Sequence, residues 1–145
     1  MTPPLSWPPG DALHTGRHRI HLEPPDHLVF VADGDLTADD VLYTHEVIAA
    51  FEQDKKQIFL LVDLAQIGSI PADARKAGAR PNAAQRLCAL AVYGATFTQR
   101  VVILLVVTAF RLRKGGDFPQ VSAFNTEAEA RAWLAERRRA VLQTQ

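Results

Sequence analysis

The sequence has too few cysteines to be an extracellular, disulfide-stabilised domain. Cys88 is its single cysteine and lies among apolar residues, so no disulfide can form within the chain. A lone thiol with apolar neighbours is typical of proteins in a reducing compartment. The first residues also lack the basic start and apolar core of a secretory signal. We therefore expect a cytoplasmic protein.

The sequence also lacks an excess of positive or negative charge, and it has no apolar run long enough to span a membrane. Sixteen Lys and Arg residues balance sixteen Asp and Glu residues, so the formal net charge is zero. Without a positive field, nothing favours a nucleic acid partner. Residues 101–110 carry no charge, but as a helix they would cover about 15 Å of a hydrocarbon core roughly 30 Å thick. We expect no transmembrane segment.

Catalytic and metal-binding motifs are equally hard to find. Ser69, Thr96 and His45 carry suitable atoms for nucleophilic chemistry, yet no nucleophile-elbow spacing or oriented acid–base pair accompanies them. The chain has five histidines, but His18 and His21 would point to opposite faces of a strand. The sequence predicts no enzymatic activity, no metal site and no cofactor.

The residues that are present predict an α/β domain. Polar and apolar residues alternate over 18–23, and a proline-rich turn separates them from a second β-rich run at 28–31, which indicates a hairpin. Thr37 and Asp40 have the spacing of a capping box and predict the start of a helix. The prolines before residue 10 favour a flexible arm. We expect an arm over residues 1–16 and a single domain over 17–142.

Later elements alternate between strands and helices. Continuous apolar runs at 58–62 and 87–93 are typical of strands covered on both faces. A helix is predicted from Pro71 onward, and a short strand at 121–124. Residues 125–139 begin with a cap and acidic residues and end in three arginines, a charge order that favours a terminal helix.

The uncharged run at 101–110 is ambiguous by itself. Its valine and isoleucine content favours a strand. A parallel sheet, however, needs a crossover of a dozen or more residues between the strands at 87–93 and 121–124, and only this segment can supply one. We therefore predict a helix over about residues 98–113.

This helix would be apolar on both faces. Helical spacing groups one set of side chains, which we expect to face the sheet: Val101, Leu104, Leu105, Thr108 and Leu112. The opposite set would face outward: Ile103, Val106, Val107 and Phe110. Because burying each such side chain gains about 1.5 to 3 kcal/mol, the outward set needs a cover.

Three covers remain open for Ile103, Val106, Val107 and Phe110. A second copy of the chain or another protein could pack on them, since an apolar helix face is self-complementary across a two-fold axis. A lipid-like apolar ligand is the alternative, and the proline-rich arm or the second helix is the third possibility. We expect self-association or protein contact, with a homodimer as the first candidate.

Three stretches resemble one family. They are LLVDLAQIGSIPADAR, LAVYGATFTQRVV and FNTEAEARAWL, and together they make residues 18–140 resemble the SpoIIAA-like family of STAS-type domains. The resemblance implies an open, mixed, mostly parallel five-stranded sheet with an N-terminal β-hairpin and four main helices. It also implies a non-catalytic binding or regulatory module. The fold is similar to that of CRAL/TRIO lipid-binding domains.

The resemblance draws attention to the turn after the central strand. In anti-sigma-factor antagonists of this type, a serine in an Asp-Ser-Ser-Gly turn is phosphorylated. Here the turn reads Ile67-Gly68-Ser69-Ile70, so Ser69 is a possible phosphoacceptor in a turn that departs from the pattern, and a helix N-cap is its competing role. Asp63 ends the central strand, and we expect it to form a structural ion pair with Arg75 across the loop.

Overall fold

The computed structural model describes residues 12–53, 55–78, 86–114 and 120–144. Within these ranges the chain forms six strands and four helices in a regular order. They are β1 (Ala12–Thr15), β2 (His18–Glu23), β3 (His27–Gly34), α1 (Ala38–Glu52), β4 (Ile58–Ile67), α2 (Ala72–Gly78), β5 (Leu87–Tyr93), α3 (Phe97–Lys114), β6 (Gln120–Phe124) and α4 (Glu127–Gln143).

The strands form one sheet in the order β1-β2-β3-β4-β5-β6. β2 runs antiparallel to both of its neighbours, β1 and β3, and β3 to β6 run parallel. The predicted mixed, mostly parallel sheet is confirmed, as is the helical crossover at α3. Five strands were expected, and the sixth is β1, which pairs with β2 from Ala12 opposite His21 to Thr15 opposite His18. Residues 12–15 therefore do not belong to a flexible arm, and residues 1–11 lie outside the described part of the chain.

A hydrogen-bonded cluster connects this hairpin to the start of α1. The predicted capping box is confirmed, because Asp40 N donates to Thr37 Oγ1 at 3.1 Å and Thr37 N donates to Asp40 Oδ2 at 3.0 Å. Thr15 Oγ1 donates to the other carboxylate oxygen at 2.7 Å, and His18 Nε2 lies 3.3 Å from Oδ2. Burial alone would raise the pKa of Asp40, but the hydrogen bonds from Thr15 and Thr37 outweigh it and lower the pKa.

Strand alternation gives the sheet two apolar faces with different covers. Ile58 and Leu60 of β4 belong to the core that includes Phe51 of α1. Phe59 and Leu61 lie on the other face and pack with residues of α4. Two of the β5 residues on this side, Ala89 and Ala91, are small, and both are fully buried. Small side chains let α4 approach the sheet closely.

A buried carboxylate connects the end of α4 to the sheet. Asp26 lies in the turn between β2 and β3, and its side chain is 3 % exposed. Arg138 Nε donates to both of its carboxylate oxygens at 3.0 Å, and Gln57 Nε2 donates to Oδ2 at 3.2 Å. The backbone oxygen of Asp26 accepts from Phe59 N at 2.9 Å. This one residue thus joins the hairpin, β4 and the terminal helix.

Substituting Arg138 by Gln tests this connection. We expect the free energy of unfolding to fall by about 1 to 3 kcal/mol, because a buried carboxylate loses its counter-charge and two hydrogen bonds. Urea denaturation at neutral pH measures the change. Arg139→Gln removes the same charge from the exposed neighbouring residue and is expected to cost less than about 0.5 kcal/mol. Equal losses in both variants would contradict a special role for the Asp26 contact.

Candidate functional site

A large apolar cavity lies on the face of the sheet that α1, α2 and α3 cover. Its volume is about 270 Å³. The sheet supplies one wall with side chains from β3, β4, β5 and β6, and the three helices supply the rest. Its aliphatic lining includes Leu60, Val62, Leu64, Leu90, Val92 and Val121 from the strands, Val41 and Ile48 from α1, and Val102, Ile103 and Val107 from α3.

Helix α3 presents the opposite face to the sheet from the one predicted. Ile103 and Val107 are half-buried and line the cavity. The residues expected to face the sheet point outward instead: Val101 is 41 % exposed, Leu104 63 % and Leu105 61 %. The predicted phase of the helix is therefore wrong. The side chains of Val106 and Phe110 lie outside the described part of the structure.

Polar contacts in the first turn determine this phase. Gln99 Nε2 donates to Ile67 O at 3.5 Å, and Arg100 Nη2 donates to Asn125 Oδ1 at 2.6 Å and to Phe124 O at 3.2 Å. Gln99 and Ile103 are one helical turn apart, so a contact of Gln99 with β4 turns Ile103 toward the sheet. The apolar residues alone could not reveal this, because they occupy both faces.

The start of α3 is also constrained by its capping residues and by a glycine. Thr96 N donates to Gln99 Oε1 at 2.8 Å, and Gln99 N donates to Thr96 Oγ1 at 3.3 Å, which is a reciprocal cap. Gly94 has φ +80°, and a Cβ there would lie 2.9 Å from Ala65 N. Only glycine combines that conformation with such a close approach. The chain therefore leaves β5 at a defined point beside β4.

The polar side chains that line the cavity come from α1 and α2. They are Thr44, His45 and Arg75. Thr44 Oγ1 donates to Asp40 O within its own helix at 2.8 Å, and Arg75 Nη1 donates to Ile70 O at 3.0 Å. The cavity is thus an aliphatic space with a small polar part, which is the usual composition of a site for an apolar ligand.

The predicted ion pair between Asp63 and Arg75 is not among the contacts of the described residues. Asp63 Oδ1 accepts from Ala65 N at 2.9 Å. Because alternate residues of a strand face opposite sides, Asp63 lies on the side of Tyr93 and α4, whereas Val62 and Arg75 face the cavity. Burial first, then the charges of Asp63 and Glu127, raise the pKa of Tyr93.

Ser69 lies in the exposed turn after β4 and contacts Asp35. Ser69 N donates to Asp35 Oδ1 at 2.8 Å, and Ser69 O accepts from Leu36 N at 2.9 Å. A Cβ on Gly68 would meet this carboxylate and would lie 3.0 Å from the backbone nitrogen of Asp35, so the close approach of the two segments favours glycine. Arg75 N donates to Pro71 O at the start of α2, which places the helix cap after Ser69. Phosphorylation of Ser69 stays a prediction.

Other kinds of site find no support in the ranges that the structure describes. There, no group of three or more His, Cys, Asp and Glu side chains is arranged to hold a metal ion. Nor does any helix of those ranges combine the length and apolar character needed to cross a bilayer.

A family model named SpoIIAA-like matches residues 27–135. The chain belongs to the SpoIIAA-like family. A crystal structure of a DUF3478 family protein from Shewanella loihica PV-4, described as having a SpoIIAA-like fold, is similar to the chain. The TM-score is 0.54 at 18 % identity, over 84 % of this chain and 98 % of that one. No curated protein matches the chain significantly. The resemblance inferred from the sequence is thus confirmed for family and fold.

The contact between Ser69 and Asp35 makes a prediction about acidity. Hydrogen bonds from the backbone N–H and then the hydroxyl of Ser69 lower the pKa of Asp35. Ser69→Ala removes the hydroxyl and keeps the backbone donor, so we expect the pKa of Asp35 to rise part of the way toward its ordinary value. Carboxyl-detected NMR titration measures it. The control Ser122→Ala, in β6, is expected to leave this pKa unchanged, and no rise in Ser69→Ala would refute the hydroxyl contact.

Proposed function

We propose that this SpoIIAA-like protein is a non-catalytic binding module that holds a lipid-like apolar ligand in the cavity beneath α3. The observation that carries the proposal is the cavity itself, about 270 Å³ in volume with an almost wholly aliphatic lining. An apolar ligand in this space covers aliphatic side chains that otherwise contact water, and the burial of that apolar surface supplies the binding energy.

The volume limits the size of the ligand. An engineered cavity of about 150 Å³ binds benzene, so a space of about 270 Å³ accommodates roughly ten carbon atoms at the same density. One short alkyl chain or a two-ring compound fits this limit. A two-chain lipid could enter only in part. We therefore propose a small, single-chain ligand.

The way α3 is attached supports its role as one wall of a binding site. In the described residues its polar contacts to other elements come from its first turn, through Gln99 and Arg100. Farther along, Val102, Ile103 and Val107 face the cavity, and Ile103 packs against the main core. The polar attachment of the helix to the sheet is thus concentrated at its start, and apolar side chains make its contacts farther along. Ile103 and Val107 would then contact the ligand.

Blocking the cavity tests this function. Ile103→Trp places a larger side chain in the space, and we expect binding of the neutral probe nonan-1-ol, followed by isothermal titration calorimetry, to weaken at least roughly tenfold. Leu104→Trp adds the same side chain to the neighbouring residue, which is 63 % exposed, and is expected to bind like the wild type. Circular dichroism verifies that both variants fold. The proposal is refuted if the wild type binds neither nonan-1-ol nor its nine-carbon analogues with a charged head group.

The outer face of α3 supports a second candidate, self-association. Phe97 is 82 % exposed, and Val101, Leu104 and Leu105 continue the same stripe along the helix. Their spacing of four, three and one residues places them on one face. An apolar stripe of this kind can pack against its own copy across a two-fold axis. The homodimer proposed from the sequence would therefore use this face and not the one containing Ile103 and Val107.

Sedimentation velocity tests the dimer. We expect the wild type to sediment as a dimer at micromolar concentration and Leu104→Glu to sediment as a monomer, because a charge in an apolar interface is costly to desolvate. Leu142→Glu makes the same change on α4, where the residue is 39 % exposed, and is expected to remain dimeric. A monomeric wild type would eliminate this candidate and leave the cavity proposal intact.

A further inference from the structure

The cavity is not equally apolar on all sides. Its strand and α3 walls are aliphatic, while Thr44, His45 and Arg75 all come from α1 and α2. These two helices pack together through a small cluster that contains Val41 and Ala74. Thr44 lies three residues after Val41 and Arg75 directly follows Ala74. The polar part of the lining is therefore confined to the α1–α2 side.

Arg75 brings a positive charge to this side. The residue is half-buried and borders the cavity. One of its nitrogens, Nη1, donates to Ile70 O at 3.0 Å. The ion pairs formed by the described residues do not include Arg75. A guanidinium carries a positive charge and five N–H donors, so the Arg75 Nε and Nη2 groups can donate to an anion at the edge of the cavity.

A carboxylate fits these donors best. The planar guanidinium matches a carboxylate with two parallel hydrogen bonds, and opposite charges attract each other more strongly at a half-buried site than in bulk water. The neighbouring walls accept only hydrocarbon. An amphiphile with its chain among Val62, Leu90 and Ile103 and its head at Arg75 would satisfy both parts of the lining.

We infer that the ligand is a single-chain carboxylate amphiphile of about ten carbon atoms, with its carboxylate bound by Arg75 and its alkyl chain in the cavity. This inference rests on the proposed function and adds the chemistry of the head group. It also gives Arg75 a partner in place of Asp63, with which the predicted ion pair is not among the contacts of the described residues. The α1–α2 side thus supplies the polar part of the site.

Matched probes on the unmodified protein test the inference. Nonanoate, nonan-1-ol and nonylammonium share one alkyl chain and differ only in head-group charge at neutral pH. By isothermal titration calorimetry we expect nonanoate to bind at least roughly tenfold more tightly than nonan-1-ol, and nonylammonium to bind most weakly. If nonan-1-ol binds as tightly as nonanoate, the head-group assignment is wrong while the cavity proposal stands. If none of the three binds, the proposed function itself is wrong.

Two variants of neighbouring residues assign the effect to one side chain. Arg75→Met retains an apolar stem and removes the guanidinium, so we expect nonanoate to lose its advantage over nonan-1-ol while nonan-1-ol still binds. Lys76→Met removes the same charge from the adjacent, exposed residue of α2 and is expected to retain the wild-type preference. An undiminished preference for nonanoate in Arg75→Met would overturn the role of Arg75. Melting curves verify the folded state of both variants.

Discussion

The structure depends on the central strands β4 and β5, which are apolar on both faces. Each face of the sheet therefore has to be covered by helices. β4 contributes Phe59 and Leu61 to one core and Ile58 and Leu60 to the other. On the α4 side, alanines on β5 let the helix pack directly on the sheet. On the other side three helices share the task, and they leave about 270 Å³ between them and the strands. The same requirement for burial is thus met by close packing of α4 on the alanines of one face and leaves an apolar cavity on the other.

Strand alternation also separates the chemistry of the two faces. The α4 side collects the charged contacts, among them Arg138 with Asp26 and Arg131 with Glu23 and Glu127. The cavity side is aliphatic except for the residues contributed by α1 and α2. Charges that pair with each other leave little for a ligand to contact, whereas an aliphatic space with one charge at its edge suits an amphiphile. For this reason we place the function on the cavity side.

Membership of the SpoIIAA-like family is consistent with a binding or regulatory module, and the individual features of the chain make this more specific. The turn at Gly68 and Ser69 is held by Asp35, a residue of the preceding β3–α1 connection. That contact stabilises the end of β4, beside which Gln99 attaches the start of α3. The turn that contains Ser69, the predicted phosphoacceptor, and the wall of the cavity are therefore structurally connected.

The sequence alone determined the order of the elements, because local signals act over a few residues. The capping box at Thr37 and the parallel-strand geometry that requires a helix at α3 were both readable and are confirmed. It did not determine which way α3 turns, because apolar residues occupy both faces and only the distant contacts of Gln99 and Arg100 choose between them. The sixth strand, the separation of Asp63 from Arg75 and the cavity likewise became apparent only in three dimensions. These three features depend on how the strands pair and on which face of the sheet a residue occupies. Contacts between residues that are close in the sequence do not determine either of these.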